Sequence, residues 1–239
     1  MDLSNYNYQS VATTREEKAA VAFPALMRKV YLWMSMALVI TGFTAWIVAH
    51  NVSLLQLIYG NSATIWILLI AEIGLVIALS AAINKLSLPV ATLMFVLYSV
   101  LNGAVLSSIF LVYTMSSIST VFFITAGTFA AMSVFGYVTK KDLSSMGKLM
   151  MMALIGLIIA TVVNLFMKSS GLDMIISYAG VLIFVGLTAW DTQKIKQMCL
   201  QAPDTGETMQ KMALLGALSL YLDFINLFIY LLRIFGNRE

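Results

Sequence analysis

Long apolar runs separated by short polar links dominate this 239-residue chain. Seven apolar segments stand out, each close to the ~20 residues that a helix needs to cross the hydrocarbon core of a bilayer. They cover residues 29–49, 63–84, 89–112, 118–138, 149–167, 174–193 and 213–233. Because backbone groups cannot stay unpaired in lipid, each segment is predicted to be a helix. The pattern therefore predicts an all-α integral membrane protein with seven transmembrane helices.

Composition supports this class. The chain is 61% hydrophobic and 10% charged, whereas soluble domains carry about 25% charged residues. Residues 25–239 are predicted to form the transmembrane domain, and residues 1–24 a polar, cytoplasmic and disordered tail. A single cysteine and a single histidine argue against a disulfide and against thiol, histidine or His/Cys metal catalysis. We expect no enzymatic activity, no cofactor and no nucleic-acid partner. We expect the protein to be embedded in a lipid bilayer.

Lysine and arginine are distributed unevenly between the two sides that seven crossings create. With a cytoplasmic N-terminus, eleven of the 14 cations fall on the cytoplasmic side. These are Arg15, Lys18, Arg28, Lys29, Lys85, Lys140, Lys141, Lys148, Lys194, Lys196 and Lys211. Positive residues collect in cytoplasmic loops, so the C-terminus is expected on the opposite side. In that arrangement Arg233 and Arg238 lie outside the cytoplasm. Alternatively, the last segment is re-entrant and returns both arginines to the cytoplasmic side. We favour a spanning segment, because 213–233 is long enough to cross the membrane.

Three acidic residues lie within or near the predicted spans. Glu72 and Asp223 fall near the middle of the second and seventh helices, and Asp191 lies near the cytoplasmic end of the sixth. An ionisable group at the bilayer centre costs about 2.5–3.5 kcal/mol on insertion scales, which makes it a candidate functional residue. With both helices upright, Asp191 and Asp223 would differ in depth by roughly 8 Å. Helix tilt could bring them together.

Two neighbouring carboxylates in a membrane have distinctive chemistry. Like charges in a low-dielectric site share a proton, so Asp191 and Asp223 would change charge with pH. Carboxylates also suit Ca²⁺, and Asn226, three residues after Asp223, could add a carbonyl ligand. The alternative is structural: the acids hydrogen-bond neighbouring helices, or Asp191 pairs with Lys194 at the membrane interface.

At these residues the chain resembles the Bax inhibitor-1 family, the transmembrane Bax inhibitor motif proteins, and within it the bacterial branch. The most specific match is LSLYLDFINLFIYLLRIFG at 218–236. The segments AWDTQKIK at 189–196 and ITAGTFAAMSVFGYVTKKDLSSMGKLM at 124–150 add to it, in matching order and spacing. The resemblance implies a seven-helix fold whose C-terminal helix is central, in a bacterial inner membrane.

The resemblance also implies a function. The resemblance implies a pH-sensitive Ca²⁺ leak across the membrane. In the family, a pair of aspartates on the last two helices senses pH, and the matching positions in this chain are Asp191 and Asp223. Relatives also have a glutamate in the second helix, which Glu72 matches. Ca²⁺ and protons are then the expected partners, with Ca²⁺ as the transported ion.

One feature departs from the family pattern. Relatives can have an arginine at the cytoplasmic end of the second helix, where it latches onto the aspartate pair. Here that end reads SAAINKLSLP, and Lys85 is its only cation. A lysine forms a weaker, monodentate contact than an arginine fork. Lys85 is therefore either a weak latch or a residue that only sets topology.

Three other functions remain open at this point. The chain could regulate other membrane proteins, such as a protease or a stress-response partner, or exchange Ca²⁺ for protons at the same site. Two membrane aspartates also suit an intramembrane aspartyl protease. That alternative is disfavoured because the Gly-x-Gly-Asp motif of presenilin-type enzymes is absent: Asp223 follows Leu220-Tyr221-Leu222.

Overall fold

The structure, a computed structural model, describes residues 3–201 and 206–238, with side chains from Ala22 onwards except those of 200 and 201. Its helices are α1 (Leu3–Ala49), α2 (Val52–Tyr59), α3 (Ser62–Ala82), α4 (Leu88–Leu106), α5 (Ile109–Val112), α6 (Met115–Val138), α7 (Ser144–Met167), α8 (Ser170–Gln201) and α9 (Gly206–Phe235). In this part of the chain, seven segments are long and apolar enough to cross a membrane, with α4 and α5 forming one of them. The predicted all-α membrane fold is confirmed.

Several helices extend beyond the predicted apolar segments. α1 is helical from Leu3, so its backbone includes most of the tail for which the sequence predicted disorder; its REEKAAVA stretch consists of good helix formers. The cytoplasmic placement of that tail stays a prediction. α8 and α9 continue over 194–201 and 206–212, because Gln, Lys and Glu favour helix even where they leave the apolar core. The short helix α2 was not predicted.

Local sequence explains where several helices begin. Asn61 Oδ1 accepts a hydrogen bond from the Ala63 amide at 2.9 Å, and Thr114 Oγ1 accepts one from the Ser117 amide at 3.2 Å. These bonds satisfy backbone donors that the first turns of α3 and α6 leave free. Pro89 lies in the first turn of α4, where its missing N–H costs nothing. Short polar links therefore end one span and start the next.

α9 lies at the centre of the bundle, where it packs against α8, α1, α6 and α4. Buried residues make up 67% of its spanning window but only 6% of that of α7. Tyr221, Leu220 and Leu227 are completely buried. The other buried residues of α9 are almost all apolar, as expected for a helix in the interior of a bundle. The central position implied by the family resemblance is confirmed, and it carries Asp223 into the interior.

The two ends of α8 define the two ends of the bundle. Near its last turns, Lys196 Nζ lies 5.9 Å from the centroid of the Phe23 ring, at the start of the first span. In its first turn, Asp173 Oδ1 lies 3.5 Å from Arg233 Nη1, near the end of α9. The end of α9 is therefore opposite the start of the first span, and α9 crosses the whole bundle instead of re-entering.

Glycines let α8 approach its neighbours closely. A Cβ atom at Gly136 of α6 would collide with the carbonyl of Ala189, and one at Gly147 of α7 would collide with the Trp190 ring. Small residues allow such close backbone approach in membranes. The contacts position the segment immediately before Asp191 against both α6 and α7.

Candidate functional site

Asp191 lies in the second half of α8, where its side chain is 13% exposed. Its Oδ1 atom is 3.9 Å from Nζ of Lys194, one turn further along the same helix. The Lys194 ammonium also lies 5.0 Å from the centroid of the Trp190 ring. Because Lys194 is 48% exposed, the ion pair is partly screened by its surroundings and contributes weakly. It is the cation that the structure places beside Asp191.

Asp223 and Glu72 are buried carboxylates on α9 and α3. They are 3% and 9% exposed, respectively. Among the described residues, Asp223 Oδ2 and Glu72 Oε1 have no hydrogen-bond partner. A buried acceptor without a partner loses about 1–3 kcal/mol relative to a satisfied one, so both atoms require an explanation.

All three acids border one cavity of about 500 Å³. Asp191 and Asp223 reach it from α8 and α9, and Glu72 reaches it from α3. The depth difference expected from the sequence does not prevent the two aspartates from bordering the same cavity. The structure therefore brings together the three acids that the sequence singled out.

Asn226 also lines the cavity, one turn after Asp223 on α9. Its Nδ2 atom donates a hydrogen bond to the Leu222 carbonyl at 2.8 Å. One N–H of the amide is thus bonded within its own helix, and the carbonyl oxygen stays available to the cavity. This orientation fits the oxygen-ligand role expected for Asn226.

Lys85 lies apart from this site. It is exposed in the turn that follows α3 and does not border the cavity. Among the described ion pairs, its ammonium contacts neither Asp191 nor Asp223. The geometry assigns the position next to the aspartates to Lys194, which the sequence had considered only as an interface partner of Asp191.

Thr192 and Gln193, which directly follow Asp191, have contacts that sequence reasoning missed. Thr192 Oγ1 lies 3.2 Å from Ser133 Oγ, which ties α8 to α6. Gln193 holds the α6–α7 link with both ends of its amide: Oε1 accepts from the Leu143 amide and Nε2 donates to the Lys141 carbonyl, each at 2.8 Å. The run of polar residues in AWDTQKIK was the available signal, because polar side chains inside an apolar bundle need partners.

A second missed group of polar residues lies on the other side of α9. The Tyr221 hydroxyl is 2.6 Å from Thr41 Oγ1 and 3.1 Å from Asn102 Oδ1. Thr41 also donates to the Ser99 carbonyl at 2.9 Å. This network joins α1, α4 and α9 in the interior. Its polar atoms are paired with one another, whereas Asp223 Oδ2 has no partner in the part of the chain that the structure describes.

Asp142 shows a different environment, in the link outside the membrane-spanning helices. Its Oδ1 atom accepts a hydrogen bond from the Ser144 amide at 2.9 Å. Hydrogen bonds from the side chain and then the backbone of Ser144 lower the pKa of Asp142. A lowered folded pKa stabilises the fold above the unfolded pKa, and that stability is lost as the pH falls through the folded pKa. Asp142 is fully exposed and does not border the cavity.

The site offers hard oxygen ligands and a neighbouring pair of acids. Asp191, Asp223, Glu72 and Asn226 supply carboxylate and carbonyl oxygens of the kind that Ca²⁺ prefers. In the part of the chain that the structure describes, no group of three or more His, Cys, Asp or Glu side chains is arranged to hold a metal ion. The chemistry therefore suits weak contact with a passing cation, together with proton binding by the aspartate pair.

Comparison with known proteins extends over almost the entire chain. A family model described as "Inhibitor of apoptosis-promoting Bax1" matches residues 24–239. The chain is 52% identical over 215 residues to the inner membrane protein YbhL of Escherichia coli, covering 89% of this chain and 92% of that protein. It is 46% identical over 226 residues to an uncharacterized protein of Borreliella burgdorferi, covering 95% and 97% of the two chains. The matched region includes all three acids of the cavity.

Proposed function

Because the chain belongs to the Bax inhibitor-1 family, we propose that it is a pH-sensitive Ca²⁺ leak channel gated by protonation of Asp191 and Asp223. The observation that carries this proposal is the buried Asp223 oxygen, which has no partner within residues 22–199 and 206–238 and borders the same cavity as Asp191. A passive leak needs no catalytic group and no cofactor. The similarity to an inner membrane protein supports a bacterial inner membrane as its location.

Gating follows from the charges around the cavity. Lys194 lies 3.9 Å from Asp191, one turn further along α8, and its charge favours the ionised form of the aspartate pair, which we assign to the closed state. A proton taken up by the pair changes the charge between α8 and α9 and opens the path of the ion. Glu72 and Asn226, which reach the cavity from α3 and α9, then provide oxygens along the path of the ion. Flux is therefore expected to rise as the pH falls.

Ca²⁺ flux into liposomes containing the purified protein tests the proposal across a series of pH values. The wild-type protein should conduct more at mildly acidic than at neutral pH. Asp223→Asn and Asp191→Asn should each remove most of this dependence, because an amide cannot take up the proton. The effects of the two single substitutions should not add, since the shared proton belongs to the pair.

Asp173→Asn is the matched control, because Asp173 pairs with Arg233 at the end of the bundle opposite the start of the first span. That variant should keep the wild-type pH profile. A double variant of Asp191 and Asp223 that also kept it would show that the pair is not the sensor. Flux that followed an imposed proton gradient would instead identify a Ca²⁺/proton exchanger.

A further inference from the structure

The acid-lined cavity opens sideways, toward the lipid. Besides the three acids, it is bordered by Ile73 and Ile77 of α3 and by Met151 and Ile158 of α7. Ile73 is 61% exposed and Ile158 is 55% exposed on the outer surface of their helices. Because these residues lie in membrane-spanning segments, their exposed faces meet acyl chains.

Helix contacts explain why this opening exists. α3 packs mainly against α4, and α7 packs mainly against α8. Both helices are peripheral, with 11% and 6% of their spanning windows buried. They border the cavity from two sides without closing it against each other. The gap between α3 and α7 is therefore a lateral portal that connects the bilayer with the carboxylates.

The cavity keeps two carboxylate oxygens free although the hydroxyl groups of Tyr98, Ser219 and Tyr230 also border it. Asp223 Oδ2 and Glu72 Oε1 are buried and have no partner among the described residues. The nearby amide of Asn226 directs its N–H toward the Leu222 carbonyl, and Lys194 contacts Asp191. A ligand with N–H donors and a positive charge would satisfy the free Asp223 oxygen and would be attracted by Glu72.

We propose that the cavity is a binding site for amphipathic primary amines, which reach it from the bilayer through the portal between α3 and α7. The ammonium group lies beside Asp223, where it donates to the free Oδ2 atom, and Glu72 adds negative charge at the border of the same cavity. The apolar tail lies in the portal against Ile73, Ile77 and Ile158. This ligand class differs from Ca²⁺, which has no apolar part and reaches carboxylates from water.

Size and partitioning favour this ligand class. The cavity volume of about 500 Å³ falls within the range of roughly 300–1,000 Å³ that small-molecule sites occupy. An amine with a short alkyl tail concentrates in the bilayer, next to the portal. Its charge and its tail then match the two halves of the site, since the carboxylates are inside and the isoleucines are at the opening. A bound amine would occupy the cavity oxygens and compete with Ca²⁺.

Binding can be measured without any flux assay, using protein in lipid nanodiscs. Isothermal titration calorimetry with octylamine, corrected for empty nanodiscs, should give saturable binding at one site. Octanol has the same tail without the charge, and it should bind at least tenfold more weakly. Asp223→Asn and Glu72→Gln should each weaken octylamine binding at least tenfold, whereas Asp173→Asn should bind like the wild type.

The portal is tested separately by blocking it. Ile73→Trp places a bulky ring at the opening and should weaken octylamine binding severalfold while leaving both carboxylates in place. Ile67→Trp is the matched control, because Ile67 is 65% exposed on the same helix and does not border the cavity. Gel filtration and circular dichroism show whether each variant is folded.

Equal binding of octanol and octylamine, or unchanged octylamine binding in both folded carboxylate variants, would overturn the proposal. Unchanged binding in folded Ile73→Trp would overturn the lateral route. The binding measurement does not depend on Ca²⁺ conduction. Failure here therefore leaves the proposed leak intact, and a protein without a leak could still bind the amine.

Discussion

Asp223 keeps one carboxylate oxygen buried at the centre of α9, and no described residue is a hydrogen-bond partner for it. A residue that only filled space at this position would be apolar, like Leu220 and Leu227 on the same helix, both fully buried. Tyr221, the neighbouring polar residue, is satisfied by Thr41 and Asn102. The contrast between a paired tyrosine and a free carboxylate on one helix distinguishes a structural polar group from a candidate sensor.

Lys194, not Lys85, is expected to control the closed state. Lys194→Ala removes the cation 3.9 Å from Asp191, so Ca²⁺ flux at neutral pH should increase. Because Lys194 is half exposed, the pair contributes at most about 1 kcal/mol, which limits the increase to about two- to fivefold. Liposome flux at neutral pH measures the effect.

Lys85→Ala provides the comparison for that experiment, since Lys85 is exposed and does not border the cavity. Its neutral-pH flux should equal that of the wild type. A larger increase in Lys85→Ala than in Lys194→Ala would restore Lys85 as the latch and would contradict the geometry described here.

Tyr221→Phe should destabilise the protein without changing its pH response. The substitution removes the hydroxyl that bridges Thr41 and Asn102 and leaves their buried polar atoms without that partner. Interhelical hydrogen bonds in membranes contribute about 1 kcal/mol, which sets the expected loss in unfolding free energy. Titration with a denaturing detergent measures it. Tyr178→Phe, at a tyrosine that is 53% exposed, should be neutral; equal losses in both variants would mean that the network contributes nothing.

At the scale of helices, α8 is the element that positions the site. It contacts α9, α7, α6 and α1, and its segment around Asp191 is attached on several sides. Ala189 and Trp190 meet glycines of α6 and α7, and Gln193 binds the link between those two helices. A shift of α6 or α7 is therefore transmitted directly to the residues around Asp191.

Gly136→Ala should destabilise the contact between α6 and α8, because the added Cβ would collide with the Ala189 carbonyl. Backbone atoms cannot move aside as a flexible side chain can, so the expected loss is about 1–3 kcal/mol of unfolding free energy. Gly127→Ala lies on the same helix with open space around the added Cβ. That control should be neutral or slightly stabilising, since alanine favours helix over glycine. If both substitutions changed the unfolding free energy equally, the close approach of α6 to α8 at Gly136 would not contribute to stability.

For the whole molecule, the described geometry and the distribution of charge make one joint prediction. The end of α9 lies opposite the start of the first span, as the Arg233–Asp173 and Lys196–Phe23 contacts show. Eleven of the 14 cations lie on the side of the N-terminus, which predicts that this side is cytoplasmic. A fluorescent protein that folds only in the cytoplasm should remain dark when fused after Glu239. The same reporter at the N-terminus should fluoresce, and the opposite pair of results would invert the orientation.

Sequence reasoning was most successful where the physics is local. A run of about 20 apolar residues has few alternatives to a membrane-spanning helix, so the spans follow from the pattern. It was less successful at helix ends, since polar residues in 194–201 and 206–212 prolong α8 and α9. The acids were recognised because charge within an apolar run is costly. The hydrogen bonds of Gln193 were not, because its partners Lys141 and Leu143 are about 50 residues away in sequence.

The sequence by itself determined the membrane class, the seven spans, the family and the identity of the acidic residues, because each depends on composition or on short runs of residues. Only the tertiary structure decided that Glu72, Asp191 and Asp223 border one cavity, that Lys85 lies apart from it, and that the cavity opens between α3 and α7. These features depend on how separate helices pack, and α3 and α4 are distant in sequence from α8 and α9. Their relative tilt and rotation are determined by contacts such as Gly136 against Ala189, which the hydrophobic pattern of a single helix does not encode.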